Sequence, residues 1–247
     1  MVNAMRSVAA DVLGQSRTKV VYAFSGEGVH SQKSDLELVR QSPAFEKCAK
    51  ALSGHGICIE DALSKGLGAH AAPWSVLVTT IINVCLADVW RSWGYTPDAA
   101  CGHSVGELAA AYASGLYSLE QTLQAALTLG KIATKVQGAM LHTHAPRAAL
   151  PGRLAGTGLA VAAFNTDPAS PDGGESHVTL CGPDAAVEAW LAQDERAGRM
   201  RPKHPWHHPS YADALDFADR KALAALAASQ AGEAAGCRFI SATRAAE

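Results

Sequence analysis

The chain carries no block of like charge: 21 lysines and arginines are interspersed among 23 aspartates and glutamates, for a formal net charge of −2. That pattern offers no basic face to grip nucleic acid and no polybasic run to hold an anionic membrane. It has no Cys-x-x-Cys either. Cys48, Cys58, Cys85, Cys101, Cys181 and Cys237 lie far apart, which argues against a disulfide framework or a structural zinc site and fits small core residues in a reducing compartment. The apolar run before Lys19 is broken by Asp11 and is too short for a secretory leader, so a cytoplasmic location is expected. The longest apolar segment, residues 74–93, is interrupted by Asn83, Asp88 and Arg91, the mark of a buried helix rather than a membrane span. No internal repeat occurs. A small, near-neutral or protein-borne substrate fits these absences best.

What the sequence does have is a serine between two glycines, in Cys101-Gly102-His103-Ser104-Val105-Gly106-Glu107. The run Asp98-Ala99-Ala100-Cys101 before it reads as a strand, and residues 108–112 after it as a helix. Strand, sharp turn and helix form the setting in which Gly-x-Ser-x-Gly exposes a serine oxygen beside helix-terminal N–H groups, as a nucleophile requires. A serine that merely caps the helix fits the same five residues. A second glycine-bearing loop, Ser25-Gly26-Glu27-Gly28, follows the strand-like run Lys19-Val20-Val21-Tyr22-Ala23-Phe24. Ligands of open α/β sheets bind at the carboxyl ends of strands, so the N–H groups of this loop are candidate anion donors; a plain turn is the alternative.

At 247 residues the chain is long enough for a large domain with a smaller insert. Helical spacing covers residues 34–53, with Pro43 as a break or a restart, and residues 74–93. Ser118-Leu119-Glu120-Gln121 reads as a capping box, opening a helix whose apolar stripe includes Leu123, Ala126 and Ile132. From about Met140 the texture turns polar with Pro and Gly, which marks a boundary. Beyond it, strands are expected at 159–164 and 178–181, a loop at 166–176, and a helix from Gly182-Pro183-Asp184 to about Gln193. The chain returns through His204-Pro205-Trp206-His207-His208-Pro209 to an alanine-rich helix over 211–229 and a last strand at 237–241. The expected architecture is α/β: a large subdomain of residues 1–139 and 205–247 with a parallel sheet, and an inserted small subdomain of residues 140–204. His204, His207 and His208 fit a structural turn as well as a site. Pro205 and Pro209 spoil a helical ligand pair and no cysteine or acid stands in ligand spacing, so no metal is expected.

These residues resemble the malonyl-CoA:acyl-carrier-protein transacylases and the acyltransferase domains of polyketide and fatty acid synthases. Phe24-Ser25-Gly26-Glu27-Gly28 is similar to the family's F-P-G-Q-G loop, and Gly102-His103-Ser104-Val105-Gly106-Glu107 to its G-H-S-x-G-E motif. Ala162-Ala163-Phe164-Asn165 with Cys181-Gly182-Pro183 resembles its small-subdomain strands, and His204-Pro205-Trp206-His207 falls where the family has H-A-F-H. The resemblance implies a hydrolase-like large subdomain with an inserted ferredoxin-like small one and an active site in the cleft between them. It implies Ser104 as nucleophile and His207 as general base, a dyad without a carboxylate, with the backbone N–H groups of Val105 and Glu27 as oxyanion donors. Gly26, Gly28, His103 and Asn165 would contact substrate. An acyl-serine would carry the acyl group from acyl-CoA to the phosphopantetheine thiol of an acyl carrier protein, in a ping-pong scheme without a permanently bound cofactor, alone or within a multidomain synthase.

Some positions depart from that pattern. Malonyl-specific members carry an arginine, which grips the substrate's free carboxylate, where this chain has Leu129 in Thr128-Leu129-Gly130-Lys131. A carboxylate set against leucine in a dry site would lose its partner and much of its hydration, so a monocarboxylic acyl group is expected, as in starter-unit acyltransferases and proofreading acyl hydrolases. Val76 stands where the family has glutamine and makes the expected acyl pocket more apolar. Trp206 replaces phenylalanine or serine, and either shortens the accepted acyl chain or packs behind the histidine. Glu27 replaces glutamine and adds a charge beside the oxyanion unless its side chain points away or is protonated. The chain ends near Ser241-Ala242-Thr243, where the family continues with a strand and helix that steady the base, so the resemblance implies that this C-terminal part of the fold is missing. Transfer to a carrier, hydrolysis of stalled thioesters and a retired docking domain are the three readings open on sequence.

Overall fold

Two sheets divide the molecule: Ser104 follows a strand of the first, and His207 stands where the chain has left the second. The structure, a computed structural model, describes residues 19–34, 36–166, 175–228 and 236–242. In chain order, β1 (Val21–Phe24) is followed by α1 (Glu37–Arg40), α2 (Pro43–Ser53), α3 (Ile59–Ala69) and α4 (Trp74–Ser92); β2 (Ala99–Gly102) is followed by α5 (Gly106–Ser114) and α6 (Leu119–Ala133). Next come β3 (Ala139–Pro146), α7 (Leu150–Leu154), β4 (Ala160–Phe164), β5 (Glu175–Gly182), α8 (Asp184–Leu191) and β6 (Gly198–Arg199). The chain then returns through α9 (Ser210–Ala214) and α10 (Phe217–Ala228) to β7 (Arg238–Ile240).

The first sheet is parallel with strand order β1-β2-β7, Val21 lying opposite Ala99 and Ala99 opposite Arg238. Its central strand, β2, is buried at every residue, which suits a run of Ala, Ala, Cys and Gly. Helix α4 is the spine of the larger core, with Ser75 through Cys85, Ala87 and Val89 all buried. By length and composition alone this helix is apolar enough to cross a membrane; here its apolar surface is spent on α2, α3, α5 and α6. The second sheet is antiparallel, in the order β4-β5-β3-β6. With α7 and α8 as its connections, the sequence β-α-β-β-α-β gives a ferredoxin-like unit, with Leu141, Leu150, Leu159, Val178, Leu180, Val187 and Trp190 as its core.

Local chemistry explains most element ends. Pro43 occupies the first turn of α2, where its missing N–H costs nothing, and Ser42 caps Ala44 N at 3.2 Å. The helix expected over 34–53 is therefore two helices. At α6, Gln121 N donates to Ser118 Oγ (3.2 Å) while Ser118 N donates to Gln121 Oε1 (2.7 Å), the reciprocal box read from sequence. The single helix expected over 211–229 also breaks: Asp219 N donates to Asp216 Oδ1 (2.9 Å) and Asp216 N to Asp219 Oδ2 (3.0 Å), which restarts the chain as α10. Four elements went unanticipated, α3, β3, α7 and β6, with β3 falling where only a polar boundary was expected. The stretch before Lys19, most of the expected loop at 166–176, and Thr243 lie outside the described residues.

Candidate active site

Between the end of β2 at Gly102 and the start of α5 at Gly106 the chain reverses within three residues, and Ser104 sits at the apex with φ of 52°. A non-glycine residue rarely holds that left-handed conformation without a surrounding that enforces it. The two glycines enforce it by letting backbones touch. A Cβ on Gly102 would lie 2.2 Å from Gly106 C, and one on Gly106 would lie 2.5 Å from Phe24 O. Gly106 N to His103 O (2.9 Å) and Glu107 N to Ser104 O (3.0 Å) tighten the turn. The capping reading of Ser104 does not hold, because the N-cap of α5 is Val105 and no side chain caps it. Instead Ser104 Oγ lies 3.1 Å from His207 Nε2.

His207 stands on the turn between β6 and α9, itself at φ 68°. Protein packed around the imidazole lowers its pKa below the ordinary 6.5, with the neighbouring His103 adding to the effect and Glu27 and Glu107 opposing it. His103 is lowered as well, chiefly by burial. A neutral His207 therefore meets the serine hydroxyl at pH 7, able to accept its proton. Of the two adjacent histidines, His208 is used within its own turn, with Nδ1 2.7 Å from Ser210 Oγ and Nε2 3.2 Å from Gly158 O.

The glycine loop lies against this pair. A Cβ on Gly26 would come within 3.0 Å of His103 Nδ1, while Gly28 has φ of 87° and faces Pro202. Asn83 fastens the loop through Nδ2 to Ser25 O (2.9 Å), and Arg201 through Nη1 to Gly28 O (3.1 Å). In the sequence Asn83 is no more than an interruption of an apolar run. A buried amide in such a run needs a partner, and this was the signal. Among the described residues neither the Val105 nor the Glu27 N–H has a hydrogen-bond acceptor, so both remain available to a ligand. Glu107 binds the start of α5 to the chain after β7, its Oε1 accepting from Ser241 Oγ (3.0 Å) and Ala242 N (2.6 Å).

The remaining expected positions are placed differently. Glu27 turns its carboxylate into the protein, where Oε2 accepts from the Trp206 indole and lies 3.0 Å from His204 Nε2. Trp206 stacks on Tyr211 (5.2 Å, 24°) and meets His204 edge-on (5.3 Å, 87°), so it packs beside the histidine turn rather than standing free in a pocket. Val76 belongs to the core around α4 and is 0% exposed, with no surface turned to the cleft. Leu129 is half-buried on α6 against the same core. Asn165 gives its side-chain N–H to Thr179 Oγ1 (2.9 Å). No group of three or more His, Cys, Asp or Glu among the described residues is arranged to hold a metal ion.

Residues 21–231 match the acyl transferase domain family model. The chain is 32% identical over 222 residues to the polyketide synthase GfsA of Streptomyces halstedii, covering 80% of this chain and 3% of that protein; it thus spans only a small part of the length of such curated relatives. Its fold matches the acyltransferase domain of the polyketide synthase PpsC of Mycobacterium tuberculosis with a TM-score of 0.72 and 25% identity, covering 98% of this chain and 74% of that one. The malonyl-CoA:ACP transacylase of Synechocystis sp. PCC 6803 matches with a TM-score of 0.68 and 25% identity, covering 84% and 70%. On the family match across residues 21–231, with the serine turn inside it, the chain belongs to the acyl transferase domain family.

Proposed function

We propose that this domain moves a small acyl group lacking a free carboxylate from acyl-CoA to a carrier-protein phosphopantetheine thiol, through an acyl-serine on Ser104, as a cytoplasmic ping-pong enzyme. The observation that carries the reading is the 3.1 Å contact between Ser104 Oγ, held in a left-handed turn, and a neutral His207 Nε2. As Oγ attacks the thioester carbonyl, His207 takes the serine proton. The tetrahedral oxyanion accepts from the free N–H groups of Val105 and Glu27, donors worth on the order of 3 kcal/mol each where such groups have been removed. Collapse breaks the C–S bond and His207 returns the proton to the leaving CoA thiolate. The carrier thiol then repeats the steps in reverse order and frees Ser104. A relative named as a polyketide synthase and a structural neighbour named as an ACP transacylase support a carrier protein as acceptor.

The cargo follows from Leu129. Arg147 and Arg153 of the small sheet unit are engaged by protein groups: Arg147 lies over Phe164 and donates to Ser176 Oγ and Thr166 O, and Arg153 lies over Trp190 and pairs with Asp194. Leu129→Arg should therefore raise loading of malonyl relative to acetyl by roughly tenfold or more, the worth of one charge-assisted pair; an unchanged ratio in a competition assay removes the cargo argument. Transfer itself is tested by mixing the protein with acetyl-CoA and a phosphopantetheinylated carrier protein. Acyl-carrier should accumulate faster than free acetate, and a preponderance of free acid would assign the acyl-serine to hydrolysis.

A further inference from the structure

Two departures from the motif pattern, Glu27 and Trp206, meet in space. The Trp206 indole N–H donates to Glu27 Oε2, and His204 Nε2 lies 3.0 Å from the same oxygen. The Glu27 and His204 side chains are 3% and 2% exposed, so water does not screen their interaction as it would at the surface. An ionised carboxylate can only accept, which fixes the His204 proton on Nε2. Among the described residues Glu27 Oε1 and His204 Nδ1 are buried without partners, and Oε2 is the single atom on which both donors converge. Trp206 continues the chain of contacts by stacking on Tyr211, whose hydroxyl donates to Ala133 O (3.2 Å) at the end of α6. Residues 204 and 206 precede His207 on its strained turn, and among the described residues the His207 imidazole has no hydrogen-bond partner except Ser104. A base whose other ring nitrogen has no partner takes the rest of its orientation from its backbone.

We infer that Glu27 is a positioning residue for the acyl-transfer reaction: its carboxylate locks the glycine loop, with its oxyanion donor, to the turn that carries His207. The inference rests on the acyl-transfer reading proposed above. Charge acts alongside geometry. His207 is faced by Glu27 from the loop, by Glu107 from α5 and by His103 from the serine turn. Glu27 is in turn surrounded by His204, by Tyr211 from α9 and by His70 from the end of α3, near which Arg201 and Lys203 also stand.

Glu27→Gln tests this, because it keeps the loop backbone and one oxygen for the two donors but removes the negative charge that strengthens both contacts. Acylation of Ser104 by acetyl-CoA should slow about tenfold or more. The ring-proton NMR titration of His207, assigned by its loss in His207→Ala, should move to lower pH, since a negative charge favouring the imidazolium is gone. Trp206→Phe alone should slow acylation less, because the His204 contact survives. The double variant should lose less than the sum of the two single losses, since both variants weaken the same contact at Oε2. Additive losses with an unmoved His207 titration would overturn the inference. An unslowed Trp206→Phe would overturn it too, even where Glu27→Gln fails to fold. The titration needs no acyl donor, so it is read separately from the proposed function, which fails instead if the parent protein never acylates.

Discussion

Replacing His207 with alanine should slow acylation of Ser104 by about a hundred- to ten-thousandfold, the span that general-base assistance typically contributes. Among the described residues His207 is the base within hydrogen-bonding distance of Ser104 Oγ, at 3.1 Å. His207 is an exposed residue, so truncation opens no core cavity and the melting transition should stay cooperative. The pH dependence carries a sign that checks the assignment. The pKa of His207 is lowered from 6.5, first by the protein packed around it, and in the proposed reaction the neutral form is the active one. The parent protein should therefore keep more than half of its acylation rate at pH 6.5, with the midpoint of the acid limb below that pH. In His207→Ala this acid limb should vanish. A limb centred above pH 6.5, or a variant as fast as the parent, would remove His207 from the chemistry.

Gly102→Ala should abolish cooperative folding or lower the melting temperature by roughly 10 °C or more, as large a loss as single substitutions usually give. The added Cβ would meet Gly106 C, Gly106 O and Glu107 N at 2.2 to 2.3 Å. These are backbone atoms, with no rotamer to swing away, and they belong to the first turn of α5. Relief would require α5 to retreat from β2, which would undo the turn at Ser104. Thermal denaturation followed by circular dichroism reads the effect, and an unchanged transition would mean that strand and helix do not approach as closely as the fold requires.

The serine turn was legible because its code is local: glycine before and after the serine is the requirement for a strand and a helix to touch. The Ser118 capping box was legible for the same reason, both partners lying within one turn. Strand β3 was not. Its buried positions after Met140 are Leu141, Thr143 and Ala145, its outward ones His142, His144 and Pro146, and an alternation with so few large apolar residues gives a weak period-two signal. The break before α10 hid inside an alanine-rich run, where two aspartates did the capping. Least legible was the role of Glu27. Its partners His204 and Trp206 are 177 and 179 residues away, and only the fold brings them together. Val76 illustrates the opposite error: a motif position was assigned to a pocket, whereas packing around α4 gives it to the core.

Ser104 should take an acyl group, and a monocarboxylic one in preference to malonyl. Intact-protein mass spectrometry after mixing with acetyl-, propionyl-, methylmalonyl- and malonyl-CoA tests it most directly. The predicted result is a single acetyl or propionyl adduct, with malonyl and methylmalonyl adducts minor, all of them lost in Ser104→Ala. No adduct from any donor, or an adduct that survives Ser104→Ala, would contradict it.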